Sequence, residues 1–463
     1  MERNELQPDE VSRLSSISLR CVECLALYPM IGAGQVTPLP RYRCTCGGVL
    51  DVEMLLSSEQ LDGAPNAASN DICWQRLFDE RASCLASWPS RARNALLDAS
   101  GVWRYRELVL PLPERFIVSR PEGNTGLYPV GVANCGLDRL GHRQIGLYAG
   151  LEHFFLKHEG ENPTGSFKDR GMTVGMTMAN LLGAQAVACA STGNTSASLA
   201  SYAAQAGMRS VVFLPAGSVA TGKLAQSLAY GATIIQVRGD FDGAMRLVEQ
   251  VCNELSIYLL NSLNPFRIEG QKAIAFELLQ QFGWDAPDWL VLPAGNLGNT
   301  SAIGKAFQQA YQLSLIKRIP RIASIQAAGA NPFYRSFMRG FANREVVEAH
   351  TVASAIKIGN PVSYTRARRV IEMSDGVVEE VSDEEILAAK VIIDRAGIGC
   401  EPASAATLAG VHKLVARGII KGNERVVGVL TGNLLKDSTT GMAQQITSVV
   451  VEPHIDAVRE VLS

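Results

Sequence analysis

Between residues 186 and 330 the chain alternates short apolar runs with longer segments of helical period. The apolar runs are AVACA (186–190), SVVFLP (210–215), TIIQV (233–237), IYLLN (257–261), WLVLP (289–293) and IASIQ (322–326). Each is the length of one strand. Between them, segments 196–207, 222–231, 241–255, 269–282 and 300–313 repeat apolar positions at helical spacing, and several close on glycine, a common helix stop. Continuously apolar strands alternating with helices predict a parallel sheet covered on both faces. A last run at 425–430 leads into Thr431, Gly432 and Asn433. In such sheets ligands gather at the carboxyl ends of strands. Three predicted strand ends open into polar loops, at 191–196, 294–300 and 431–433.

The remainder of the chain divides by character. Residues 1–20 read as a polar leader. Residues 21–50 hold two pairs of cysteines. Residues 51–115 read as a largely helical extension, with a loop over 61–70. Residues 116–450 carry the α/β pattern. A length of 463 residues accommodates two or three domains, and 47% hydrophobic with 19% charged residues is the balance of a soluble, well-cored protein. A formal net charge of -2 gives no electrostatic footing for nucleic acid or an anionic membrane, and neither partner is expected. The first twenty residues lack the apolar stretch of a secretory signal, and no run reaches the roughly 18 apolar residues of a membrane span. Six cysteines (73, 84, 135, 189, 252 and 400) are scattered singly, which suits a reducing compartment. A cytoplasmic location is expected.

Four segments carry candidate chemistry. In Asn162-Pro-Thr-Gly-Ser-Phe-Lys168-Asp-Arg-Gly171 a turn precedes a helix-like stretch, so Lys168 falls near a helix N-terminus. The helix dipole and partial burial both disfavour an ammonium there, and a neutral amine attacks aldehydes. Most lysines at such positions are simply solvated. Ser191-Thr-Gly-Asn-Thr-Ser196 opens a helix with free N–H groups and hydroxyls suited to a carboxylate, or it is a plain capping loop. Gly295-Asn-Leu-Gly-Asn299 lets a backbone close on a phosphate. It lacks the spacing of a dinucleotide or ATP loop. Thr431 offers a hydroxyl to a ring nitrogen, or is an ordinary turn residue.

Taken jointly and in this order, these segments resemble the fold-type-II pyridoxal-phosphate (PLP) enzymes, and within them the threonine synthases. Asn261-Ser-Leu-Asn-Pro-Phe-Arg-Ile-Glu-Gly270, Ile358-Gly-Asn-Pro-Val-Ser363 and Glu401-Pro-Ala-Ser404 extend the resemblance, which spans roughly 120–440. It implies two interleaved α/β domains with the cofactor between them. Lys168 would carry the cofactor as a Schiff base, Asn194 would bond its phenolic oxygen, and Thr431 would face its ring nitrogen. Gly295, Asn296, Leu297, Gly298 and Asn299 would cradle its phosphate. Ser191, Thr192 and Thr195 would hold the substrate carboxylate. Asn261, Ser262 and Arg267 would hold a substrate phosphate. The implied reaction converts O-phospho-L-homoserine and water to L-threonine and phosphate, by γ-elimination and β-addition, in a homodimer.

Two departures bear on the rim of the site. Gly126 stands where the family usually has proline, and Asn433 and Leu434 replace His and Gly. They leave open a related lyase or replacement enzyme acting on another O-phosphorylated amino acid. A non-catalytic zinc-ribbon binding module is the reading from a different class, opposed by the intact lysine motif. Cys21-x2-Cys24, nineteen residues, then Cys44-x-Cys46-Gly-Gly reads as a zinc ribbon whose second pair is one residue short. Structural zinc on Cys21, Cys24, Cys44 and Cys46 is one reading, and a degenerate ribbon without metal is the other. The six histidines show no metal spacing.

Overall fold

The apolar runs become strands close to their expected limits. A computed structural model describes residues 6–32, 35–36, 42–54, 70–83, 93–136, 139–191, 193–216, 221–238, 241–437, 450–451, 453 and 455–462. In it the runs form Ala186–Ala190, Arg209–Pro215, Thr233–Val237, Tyr258–Leu259, Trp289–Pro293, Arg321–Ala327 and Arg425–Leu430. They divide between two sheets, whereas the alternation by itself suggests one. The smaller sheet is wholly parallel, in the order Thr233–Val237, Arg209–Pro215, Ala186–Ala190, Tyr258–Leu259. The larger runs Val377–Val381, Arg321–Ala327, Trp289–Pro293, Arg425–Leu430, His153–His158, Leu127–Pro129. Only the last of these strands is antiparallel to its neighbour, pairing Leu127 with Lys157. The chain therefore starts in the larger sheet, crosses to build the smaller one, and returns.

Burial follows position in each sheet. Ala186–Ala190 and Trp289–Pro293, both central, are buried along their whole length. Thr233–Val237 lies at an edge, so Ile235 is exposed although its run reads as covered. The helix expected over 269–282 begins earlier and is two helices, Pro265–Gln271 and Ala273–Gln281. The Asn264 side chain accepts the Phe266 N–H at 3.0 Å, and proline at the first helical position needs no donor. Arg267 is thereby carried on a helix. That helix meets the helix Lys168–Leu181 at very close range. A Cβ at Gly270 would fall 1.9 Å from the Arg170 carbonyl oxygen, and one at Gly171 would fall 2.7 Å from that of Arg267. Only glycine permits this approach.

The N-terminal lobe is a small antiparallel sheet. Ile17–Cys21 pairs with Leu27–Pro29 on one side and Leu50–Met54 on the other. Ile17, Leu19 and Cys21 point inward and Ser18 and Arg20 outward, the period-2 pattern of a half-buried strand. These strands run across residues 20 and 50, where the leader and the cysteine segment were expected to end. The helix Pro8–Ser15 precedes them, and Asn70–Ser83 and Arg93–Ala99 follow. The expected loop over 61–70 lies, up to residue 69, outside the described residues.

Beneath the join of the two halves lies a buried charge network. Arg170 contacts Glu159 at 2.6 Å and Glu277 at 2.8 Å, and Lys157 contacts Glu277 at 2.6 Å, all four side chains being buried. Glu277 also accepts the backbone N–H groups of Asn124 at 2.7 Å and Thr125 at 3.0 Å, fixing the loop before Gly126. Two cations and two carboxylates balance, so removing one carboxylate strands charge in the interior. Glu277→Ala should lower the unfolding free energy by about 3–5 kcal/mol in a urea titration. A loss under about 1 kcal/mol would show that water or rearrangement replaces the carboxylate.

Candidate active site

Two of the three strand-end loops reach the start of the helix Lys168–Leu181, and the third, 295–299, packs against the neighbouring helix Pro265–Gln271 that carries Arg267. The first of these helices begins at Lys168, half-buried between the two halves of the molecule. The turn before it is pinned from inside. Asp169 accepts the Thr164 N–H and hydroxyl, each at 2.7 Å, and the Ser198 hydroxyl at 2.6 Å. It is also pinned from the strand end: the Phe167 N–H donates to the Thr431 carbonyl at 3.0 Å and the Asn433 N–H to that of Gly165 at 2.9 Å. The loop at 431–433 thus braces the backbone that presents Lys168.

The lysine amine is pushed down to about 7. Burial is the largest cause, the nearby Arg267 guanidinium adds to it, and Glu401 opposes both. Arg267 is 1% exposed and donates one N–H to the Leu260 carbonyl at 3.2 Å. Its Nε and Nη2 are buried and meet no partner among the described residues. Burial lowers its own pKa to about 10, so it stays cationic at neutral pH. A buried guanidinium with two idle donors is a strong anion receptor, because an unmet buried charge is costly.

The other expected site residues fall as follows. Asn194 opens the helix Asn194–Ala206, and its amide donates to both Glu401 carboxylate oxygens, at 3.2 and 3.0 Å. Ser191 and Thr195 are half-buried beside that helix start, and Thr192 lies outside the described residues. The Ser191 hydroxyl accepts the Gly193 N–H at 3.2 Å. The Thr431 hydroxyl lies 3.0 Å from that of Ser404. Asn261 also clamps the strand end. Its amide accepts the Ala190 N–H at 2.8 Å and donates one of its two N–H groups to the Ala190 carbonyl at 3.0 Å. Ser262 is half-buried next to it.

The loop at 295–299 ends at the helix Gly298–Gln312, whose preceding residue, Leu297, takes a left-handed φ of 63°. That conformation is uncommon for a branched side chain, and the first N–H groups of the helix it precedes have no partner within the helix. A Cβ at Gly295 would lie 3.0 Å from Ile356 Cα, so the loop is packed hard from behind. The Asn296 side chain accepts the Val362 N–H at 3.3 Å. The Asn299 side-chain oxygen is buried and without a partner among the described residues. An amine near neutral pKa and a helix N-terminus opened by glycine fit an aldehyde cofactor with an anionic tail.

Glu401 was missed as a site residue. Its motif was visible, but it gains a role only in three dimensions, where it joins Asn194, Thr431 at 3.5 Å and the charge of Lys168. Its carboxyl is raised above the usual range, chiefly by burial. Gly126 and Asn433, the departures at the rim, are both used locally. The Gly126 N–H donates to Glu161, which proline would prevent, and Asn433 caps the turn Leu434–Lys436 by accepting the Leu435 N–H at 3.0 Å.

Residues 142–432 match the family described as pyridoxal-phosphate dependent enzymes. The threonine synthase of Methanosarcina acetivorans is 44% identical, over 96% of this chain and 98% of that protein. The chain belongs to the threonine synthase family. The threonine synthase of Methanocaldococcus jannaschii is 40% identical with the same coverage, and that of Halalkalibacterium halodurans 42% identical over 76% of this chain and 93% of its own. Among solved structures, processed threonine deaminase isoform 2 of Solanum lycopersicum shares 20% identity at a TM-score of 0.58, over 72% of this chain and 84% of its own. Maize serine racemase shares 19% at 0.58, over 82% of this chain and 97% of its own. These two speak to the fold alone. The protein is a PLP-dependent lyase with a small-molecule substrate, and no helix among its described residues is long and apolar enough to cross a membrane.

The lysine makes a pH-dependent prediction. A lowered lysine pKa means the free base dominates above about 7 instead of only above 10. In cofactor-free protein, acylation of Lys168 should rise with pH through a midpoint near 7 and then level off, read by mass spectrometry of the labelled peptide. A midpoint near 10 would contradict the burial argument.

Proposed function

We propose that this threonine synthase family member converts O-phospho-L-homoserine and water to L-threonine and phosphate, with Lys168 as its proton-transferring base and Arg267 as its substrate-phosphate receptor. The observation that carries the reading is the buried guanidinium of Arg267, with two idle donors beside the lysine amine. A phosphate monoester dianion supplies the charge and the acceptor oxygens that this arrangement lacks.

Lys168 and the loop 295–299 would hold the cofactor, the helix start at Gly298 meeting its phosphate and Asn194 its phenolic oxygen. The bound cofactor supplies a conjugated ring that delocalises negative charge from the amino acid's carbons. The hydroxyls of Ser191 and Thr195, with the helix start at Asn194, would receive the substrate carboxylate. Lys168, once exchanged for the substrate's amine, takes the α-proton and then a β-proton. An amine near neutral pKa suits both acceptance and return of protons. The Cγ–O bond breaks, phosphate departing on Arg267 with the bonding pair; Lys168 returns one proton to Cγ and one to Cα, and water adds at Cβ, its hydroxyl to the carbon and its remaining proton to the phosphate. Ser404 would share the ring-nitrogen role with Thr431. Two neutral hydroxyls there favour an unprotonated ring, a weaker electron sink, so the site leans on positioned donors. Asn261, with one amide N–H left over from its bond to Ala190, and Ser262 would add donors to the phosphate held by Arg267.

A cytoplasmic homodimer is the accompanying reading. Incubation with O-phospho-L-homoserine should release threonine and phosphate in equal amounts. Phosphate with 2-oxobutyrate would instead favour a lyase without water addition. Arg267→Ala should raise KM for this substrate by about 100-fold or more, the size of a lost charged hydrogen-bond pair, with the cofactor spectrum retained. An unchanged KM would remove Arg267 from the substrate site.

A further inference from the structure

The four N-terminal cysteines are brought together by the fold, though the outermost two are 25 positions apart in the chain. Their Sγ atoms all lie within 4.8 Å of one another, with Cys21 to Cys46 at 3.5 Å and Cys24 to Cys44 at 3.4 Å. All four are free thiols. Sulfurs bound tetrahedrally to zinc at about 2.3 Å stand about 3.8 Å apart, so this spacing matches a shared ion. The short Cys44-x-Cys46 pair is accommodated by its turn. Gly47 takes a left-handed φ of 87°, its N–H donates to the Cys44 carbonyl at 2.9 Å, and the Cys44 N–H donates to the Gly48 carbonyl at 2.8 Å. Gly48 has no room for a side chain, since a Cβ would fall 2.7 Å from Cys21 Sγ. The backbone N–H groups of Glu23 and Cys24 point at Cys21 Sγ, at 3.4 and 3.5 Å, as donors do toward a thiolate.

The same few residues hold two segments of the candidate active site. Glu23 accepts the Thr365 hydroxyl at 2.7 Å, and the Val22 carbonyl accepts Arg369. Both partners sit on the helix Tyr364–Met373, which begins after Ser363. The Ser363 N–H donates to the Asn296 carbonyl at 3.1 Å, inside the phosphate loop. On the other side, buried Tyr42, two residues before Cys44, accepts the Leu259 N–H at 2.8 Å, two residues before Asn261. We propose that Cys21, Cys24, Cys44 and Cys46 bind one zinc-class ion, and that this ion braces segments 259–263 and 296–299 through Tyr42 and the helix Tyr364–Met373. The metal would fix the two cysteine turns, and the turns would fix the loops. The identity of those loops as cofactor and substrate segments rests on the function proposed above; the metal site does not.

The test uses the full-length protein with its cofactor. Elemental analysis after growth in zinc should give one zinc per chain, and the double variant Cys24→Ser/Cys46→Ser should lose it. Cobalt replacing chelated zinc should give the intense visible bands of a tetrahedral thiolate complex. In hydrogen exchange, chelation should speed exchange of amides at 259–263 and 296–299. Tyr42→Phe should keep the zinc yet speed exchange at 259–263 by about tenfold, the factor of one lost hydrogen bond. Zinc-free protein from zinc-supplied cells, or zinc retained in the double variant, overturns the site. Exchange at both loops unchanged by chelation and by Tyr42→Phe overturns the bracing. None of these readouts depends on the substrate, so a different substrate leaves them standing.

Discussion

The chemistry rests on two cations enclosed together without a full set of counter-charges. Burial and the positive charge of nearby Arg267, against the pull of Glu401, hold the Lys168 amine near 7. Arginine retains its proton far more firmly than lysine, so the lysine is the one that yields. The outcome is a neutral amine next to a permanent positive charge. That pairing is what a base needs when its substrate carries a phosphate: the arginine binds the leaving group while making the lysine basic at a useful pH. Glu401 tempers the effect and links it to Asn194 and Thr431.

The fold is arranged to keep that pair close. Glycines 171 and 270 let the helices Lys168–Leu181 and Pro265–Gln271 approach to backbone contact, and Gly175 leaves room for the Arg267 side chain along them. The charge network of Arg170, Glu159, Glu277 and Lys157 sits beside this contact and is balanced within itself. Its neutrality matters, because a net charge there would add to or cancel the field at Lys168. The large sheet supplies the loops at 295–299 and 431–433, and the small sheet supplies 191–196 and Asn261. Each half thus contributes surfaces that the other lacks.

Much of this was legible in the sequence. Apolar runs with abrupt polar endings located the strands and the three loops, because buried parallel strands must be continuously apolar and their ends must satisfy backbone groups. The turn residues at Pro163 and Gly165 located the helix start that Lys168 occupies. What was not legible is pairing between distant segments. Alternation does not say which strands share a sheet, so the division into two halves came from the resemblance and not from the pattern. At Lys168 itself only the helix start and burial were visible as causes of a lowered pKa; in the structure burial is joined by Arg267, 99 residues away. The bond between the Asn261 amide and the Ala190 backbone, 71 residues distant, had no sign in the sequence. Glu401 sat in a recognisable motif with no local clue to its neighbours.

The account therefore stands or falls on the side chain at 168. Borohydride reduction of the folded protein supplied with pyridoxal phosphate, followed by peptide mapping, locates the amine that holds the cofactor. The account predicts a single reduced adduct, on Lys168. An adduct on another lysine, or none in a folded and cofactor-saturated sample, would contradict it.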